Sequence, residues 1–332
     1  MTRYVVHIGP HKTGTTYLQQ SFTLLQSALA ARGICYPDTW GSLHGHFGIG
    51  ERLVQGEFDQ LQREFDDLAE HTPCHTILLS SETLADWGDA RVPLLRQLLR
   101  GHDVTIVFYF RRWSELIPSL WRETVKHGSL EGLPEFALKR LQNPPETDIV
   151  NFGIILDRFA KVFGAGNLRT VSYNAVLEDG QDLLTHFCAS FLDWPDPPLP
   201  GLGAVNASLD MVDTEIIRAL NALEWTRARD ARRRLFQHYL DMKDTLPVRW
   251  IVEQAMQYTV NRVRIDDGAE GLGQLHDDIA RRYRGTLVAP CPDGRLFMPR
   301  LTDIDYIRGE YLMHPGVMEV MRDIQAKLLA AA

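Results

Sequence analysis

The chain has 332 residues, 45% hydrophobic and 23% charged, which excludes a fragment or a disordered tract and provides for a sizeable core in one large α/β domain or two smaller ones. Its 35 basic and 43 acidic residues leave a net charge of −8; this excludes a general nucleic-acid coat or an anionic-membrane binder, so an anionic ligand has to be held by a local basic site. Cys35, Cys74, Cys188 and Cys291 are scattered without paired spacing, which points to reduced structural thiols. No apolar run reaches the roughly 18 residues of a membrane span, and His7 and His11 interrupt the segment where a signal peptide would be apolar, so the expected location is the cytoplasm.

The first predicted element is a buried strand at Tyr4-Val5-Val6-His7-Ile8, ended by Gly9-Pro10. Leu18, Phe22, Leu25 and Leu29 share one face of a 3.6-residue period and predict a helix that Gly33 stops. Three further apolar runs, residues 76–79, 104–110 and 168–173, predict buried strands. Before the last of them, Phe152, Ile155, Leu156, Phe159, Val162 and Phe163 form a helical stripe ended by Gly164. This alternation predicts an α/β fold: a parallel central sheet flanked by helices, with all strand C-termini on one edge. Four prolines within residues 194–201 predict a linker or surface strap. It would divide an α/β core, residues 1–193, from a mostly helical C-terminal extension, residues 194–332, packed on the same domain. That extension reads as helical to about Asn261, loop-rich from Pro290 to Pro299, and helical again over 314–330. The basic run Arg227, Arg229, Arg232, Arg233 and Arg234 reads as a solvated helix face or an anion-binding surface.

Chemistry concentrates after the first strand. Gly9-Pro10-His11-Lys12-Thr13-Gly14-Thr15-Thr16 lies between strand and helix, where backbone N–H groups and the helix dipole bind phosphate. Lys12 adds a point charge, and the threonines add hydroxyl donors. The order differs from a Walker loop: the lysine precedes the second glycine, and no Gly-Lys-Ser/Thr follows. A second anion site is expected where the third strand ends, from Arg111 and, eight residues on, Ser119. Two phosphate sites on one sheet edge suit a ligand with two separated phosphates better than a nucleoside triphosphate.

These residues resemble a known family. Residues 7–16 resemble the 5′-phosphosulfate loop of the sulfotransferases, in particular bacterial members of that P-loop-like superfamily. Arg111 and Ser119, with Lys126 and Gly128 beyond, resemble the family's 3′-phosphate motif. Weaker similarity runs through Ser80-Ser81-Glu82, residues 152–173 and Asn206-Ala207-Ser208. The resemblance implies the P-loop NTPase-like sulfotransferase fold and the donor 3′-phosphoadenosine 5′-phosphosulfate (PAPS), leaving 3′,5′-ADP (PAP) as product, with no metal required. It further implies that Lys12 neutralises the leaving phosphate, that Thr13, Gly14, Thr15 and Thr16 supply donors, and that Tyr173 contacts the adenine.

The acceptor's proton needs a base, and two residues compete. Glu82 follows the second predicted strand, at a position resembling that of the catalytic histidine of cytosolic sulfotransferases. His46, in Leu43-His44-Gly45-His46, falls in a segment resembling the catalytic-acid region of heparan-type enzymes. Trp87, Trp113 and Trp121 are candidates to line the acceptor pocket. Plainer roles stand beside these: a helix cap for Glu82, a loop position for His46, and core packing for Tyr173, Trp87, Trp113 and Trp121. The expected acceptor is a small-molecule, lipid or saccharide hydroxyl, or an amine, with neither nucleic acid nor a membrane span involved. A P-loop kinase or NTPase, or a non-catalytic nucleotide-binding protein, are the alternatives.

Overall fold

The structure is a computed structural model and describes residues 2–41, 44–147, 149–202, 209–223, 229–246, 261–288 and 291–331. The chain forms two compact units interleaved along the sequence. The first comprises residues 1–112, 144–205 and 269–299; the second comprises 113–143, 206–268 and 300–332. The proline-rich segment is irregular over 194–202, and one passage between the units, at 205/206, follows it.

The first unit is built on a six-stranded parallel sheet. Its strands are β1 (Arg3–His7), β2 (Ile34–Cys35), β3 (Thr76–Ser80), β4 (Asp103–Phe110), β5 (Leu168–Ser172) and, further along the chain, β7 (Leu287–Val288). The order is β2-β3-β1-β4-β5-β7, with Val5 opposite both Leu78 and Thr105. In the three central strands Tyr4–Val6, Ile77–Leu79 and Ile106–Phe110 are buried on both faces, which is why they read as unbroken apolar runs. On one face Val5, Leu78, Val107 and Tyr109 pack with Leu18, Phe22 and Phe187. On the other, Phe108 and Phe110 meet Phe152 with ring centroids 5.9 and 5.7 Å apart. The predicted helix at Phe152–Phe163 is present and is stopped by Gly164 at φ 86°. The first predicted helix is broken at Leu25 into α1 (Thr15–Leu24) and a short turn of helix, Gln26–Ala30. Gly33, at φ 72°, follows it. The strand order reverses direction at β1, so the loop after β1 opens where ligands bind in such sheets.

The C-terminal part is mostly helical, as expected, but contains a two-stranded antiparallel ribbon that the sequence reading passed over. β6 (Asn261–Asp266) pairs with β8 (Leu301–Tyr306). Its exposed face is charged: Arg262 Nε donates to Asp305 and Arg264 Nε to Asp303, each at 2.8 Å. In this second unit the helix Trp113–Lys126 packs beside the helix Met211–Ala222, where the Asn221 amide donates to the Val125 carbonyl at 2.8 Å. The last helix is Pro315–Ala331. All four cysteines are free thiols, and no helix among the described residues is long and apolar enough to cross a membrane.

Candidate functional site

β1 delivers the chain into the loop Ile8–Gly14, and two glycines set its path. Gly9 has φ 91°, and a Cβ there would lie 2.9 Å from Glu82 Cβ; Gly14 has φ 78°, and a Cβ there would press on the Leu183 side chain. Side chains at these points would collide with the walls that hold the loop. Lys12 also lies in the left-handed region, at φ 67°. Gly14 is the N-cap of α1 and offers no side-chain cap. The first intrahelical bond runs from the Leu18 N–H to the Gly14 carbonyl at 3.1 Å, so the N–H groups of Thr15, Thr16 and Tyr17 have no intrahelical acceptor. Such a helix start carries partial positive charge.

The threonines are not equivalent. Thr13 is fully buried and its hydroxyl donates to the Pro10 carbonyl at 2.6 Å, closing the loop on itself. What Thr13 offers a ligand is its backbone N–H. Thr15 is nearly buried, whereas Thr16 is half-buried.

One flank of the loop is cationic and aromatic. Arg111, immediately after β4, donates from Nη1 to the Lys12 carbonyl, and its guanidinium stands 5.2 Å from the Tyr173 ring. Tyr173 opens the helix Tyr173–Glu178, whose N-cap is the Ser172 hydroxyl, accepting from the Ala175 N–H at 3.2 Å. Beside it lies an open cavity of about 450 Å³ lined by Gly14, Tyr17, Tyr173, Leu177, Asp182 and Leu183, among others. Tyr17 donates to Asp182 Oδ2 at 2.7 Å, so its ring is held at the cavity edge. The neighbouring Arg112 is wholly buried and differently employed. Its Nε donates to the Met298 carbonyl at 2.8 Å and its Nη2 to Glu178 at 2.6 Å, which leaves Arg111 as the arginine of the loop.

The other flank is acidic. Glu82 begins a 3₁₀ turn, Glu82–Asp86, directly after β3. Its Oε2 accepts from Gln19 Nε2 of α1 at 2.7 Å, and its Oε1 makes no hydrogen bond among the described residues. At the far end of the turn, Asp86 Oδ2 lies 2.9 Å from His11 Nε2. Thus the turn grips the loop at both ends: Glu82 against Gly9, Asp86 against His11.

His46 lies behind this flank and is held on both ring nitrogens. Nδ1 accepts from the Ser80 N–H at 3.0 Å, which makes Nε2 the donor to the Pro37 carbonyl at 2.8 Å. Burial drives its pKa down to about 4 despite the nearby Pro37 and Ser80 carbonyls. The residue is 1% exposed, so the neutral ring pins the segment after Tyr36 to β3 and has no lone pair left for an acceptor. His7 is similarly buried, with Nδ1 2.9 Å from Ser80 Oγ and a pKa lowered by burial to about 3.

Lys12, Thr13, Gly14, Thr15, Thr16, Glu82, Arg111 and Tyr173 all belong to the first unit and surround one loop. Ser119 belongs to the second, half-buried within the helix Trp113–Lys126. In the same helix Lys126 pairs with Glu123 at 3.3 Å. Trp87, Trp113 and Trp121 are buried and are core residues. Asn206-Ala207-Ser208 and Arg227 lie outside the described residues; Arg229, Arg232, Arg233 and Arg234 fall within the helix Arg229–Met242, with Arg234 exposed.

Sequence reasoning passed over Tyr17, Gln19 and the His11–Asp86 pair. Gln19 carried a usable signal: it adjoins the buried Leu18 on α1, and a polar side chain that is 1% exposed must find a partner. No protein-family model matches the chain, and no curated protein matches it in sequence.

Proposed function

We propose that this chain is a sulfotransferase that moves a sulfuryl group from PAPS to an acceptor hydroxyl or amine. The observation that carries the reading is the order of features along the sheet edge: an aromatic-lined cavity, then a glycine-bounded cationic loop closed by Arg111, then the carboxylate of Glu82. A nucleotide donor needs that sequence of environments. The adenine occupies the cavity of Tyr17 and Tyr173, where aromatic rings supply stacking surface. The 5′-phosphosulfate lies on the Lys12 loop and the uncapped start of α1, and the 3′-phosphate takes the guanidinium of Arg111.

In the reaction the acceptor oxygen or nitrogen attacks sulfur in line and forms the new S–O or S–N bond. The bond between sulfur and the 5′-phosphate oxygen breaks, its electron pair staying on that oxygen. The acceptor's proton passes to Glu82 Oε1, while Gln19 holds Oε2. Lys12 and the first-turn N–H groups stabilise charge growing on the leaving phosphate. Positioning and electrostatics do the rest.

The test is direct. The purified chain is titrated calorimetrically with 3′,5′-ADP, then incubated with ³⁵S-labelled PAPS and panels of phenolic, lipid and saccharide acceptors. Binding of 3′,5′-ADP with label transfer to one acceptor class is the expected result. Binding without transfer to any acceptor would support a non-catalytic nucleotide-binding protein, and Mg²⁺-dependent ATP turnover in place of both would support a kinase or NTPase.

A further inference from the structure

We infer that His11, held by Asp86, is a second cation of the loop whose Nδ1–H binds the sulfuryl oxygens of the donor. This rests on the donor reading above and adds a residue to it. His11 directly precedes Lys12, so its backbone is part of the loop that meets the phosphosulfate. Its Nε2 is 2.9 Å from Asp86 Oδ2, and Nδ1 makes no hydrogen bond among the described residues. A ring anchored by one nitrogen presents the other in a set direction, as in any carboxylate-oriented histidine.

The pair is poorly placed for a purely structural task. The His11 side chain is 41% exposed and that of Asp86 62%, and an ion pair in such surroundings adds little to stability. The loop is already closed by the Thr13–Pro10 hydrogen bond and packed at Gly9 so tightly on Glu82 that a Cβ would not fit. The pair's location is more telling. Asp86 ends the turn that Glu82 begins, so His11 is tied to the acidic flank, whereas Arg111 and Tyr173 lie on the opposite flank. The sulfuryl group is the part of the donor that must face the base during transfer. A cation on that side meets the sulfuryl oxygens and not the 3′-phosphate.

The charges around His11 favour its protonated form. Burial pulls the imidazole pKa down, but the hydrogen bond and charge of Asp86, with the charge of Glu82, raise it above the ordinary value against the opposition of Lys12. Donor affinity should therefore be greatest at low to neutral pH and fall as pH rises through that raised value. Asp86 acts through His11 and is a positioning residue.

The experiment compares PAPS with 3′,5′-ADP, which lacks the sulfuryl group, in wild type, His11→Gln and Asp86→Asn, across pH. His11→Gln is expected to weaken PAPS by about tenfold or more, the usual scale for a charged hydrogen bond, and to leave 3′,5′-ADP within about twofold. Asp86→Asn should move the alkaline fall in PAPS affinity to lower pH and approach wild-type affinity below it, a displacement that loss of a scaffold contact would not give. Equal losses for both nucleotides, no loss in His11→Gln, or an unmoved pH midpoint in Asp86→Asn would overturn the inference. Should the wild type bind neither nucleotide, the donor reading fails separately. Inorganic sulfate then decides the His11 site: saturable perturbation of the His11 Nδ1 resonance, lost in Asp86→Asn at mildly alkaline pH, supports it, and no perturbation overturns it.

Discussion

The two flanks of the loop after β1 have the same backbone origin and opposite chemistry. Each is a chain segment leaving the C-terminal end of a strand that pairs with β1: β4 leads to Arg111, and β3 leads to Glu82. On the β4 side a guanidinium bonds a loop carbonyl and faces an aromatic ring; on the β3 side two carboxylates hold a glutamine and a histidine. On the proposed reading, the first flank takes the donor's 3′-phosphate, and the second, where His11 is held by Asp86, faces its sulfuryl group. On that reading one side anchors the nucleotide, and the other receives the acceptor and its proton.

The largest test of this division is the loop between them. Lys12→Ala should abolish transfer, since the leaving phosphate loses the ammonium of the loop; full activity in a sulfuryl-transfer assay would remove the premise that the flanks serve one reaction. Next comes the acidic side. Glu82→Gln should lower kcat by ~10²–10⁴-fold with little change in 3′,5′-ADP affinity, because a base acts in the transition state. A loss confined to donor affinity would instead move Glu82 to the binding machinery.

The cationic side should show the converse. Arg111→Ala is expected to weaken 3′,5′-ADP by ~10–100-fold, the scale of a charged hydrogen bond, and 5′-AMP far less; calorimetry with the two ligands separates the 3′-phosphate from general loop damage. The smallest effect on rate belongs to His46, behind the acidic flank. His46→Gln should change kcat by less than about threefold, well below a general base's share, while altering stability against pH. The neutral ring's folded pKa, about 4, is below the ordinary 6.5. Its contribution is therefore complete above pH 6.5 and is lost as pH falls toward 4, by about 3 kcal/mol at most. His7 adds to the same acid-side slope, its folded value being about 3. Urea unfolding of wild type and His46→Gln between those pH values should show a shallower slope in the variant; an identical slope would mean that His46 is not buried neutral.

The sequence by itself determined the frame of this protein. Strands buried on both faces appear as unbroken apolar runs, so β1, β3 and β4 were legible, as was β5 by its place after the helical stripe 152–163, and with them the glycine-bounded loop, since a turn between a buried strand and a helix is a local event. Lys12 and Arg111 were legible for the same reason: each lies one short step beyond a strand whose end is local information. What polar side chains do was decided only by tertiary contacts. Nothing near His46 in sequence shows that Ser80 and Pro37 would take both its nitrogens, and nothing near Thr13 sets its hydroxyl apart from those of Thr15 and Thr16. Gln19 meets Glu82, and His11 meets Asp86, across 63 and 75 residues, separations that no periodicity spans. The β6–β8 ribbon was passed over for a related reason: β6 alternates over only Arg262-Val263-Arg264-Ile265-Asp266 and β8 only in part, and the Arg262–Asp305 and Arg264–Asp303 pairs that close the ribbon exist only once the two segments are brought together. Hydrophobic burial is written along the chain because it repeats with the geometry of one element; hydrogen-bond partners are not, because each needs a second element brought into place by folding.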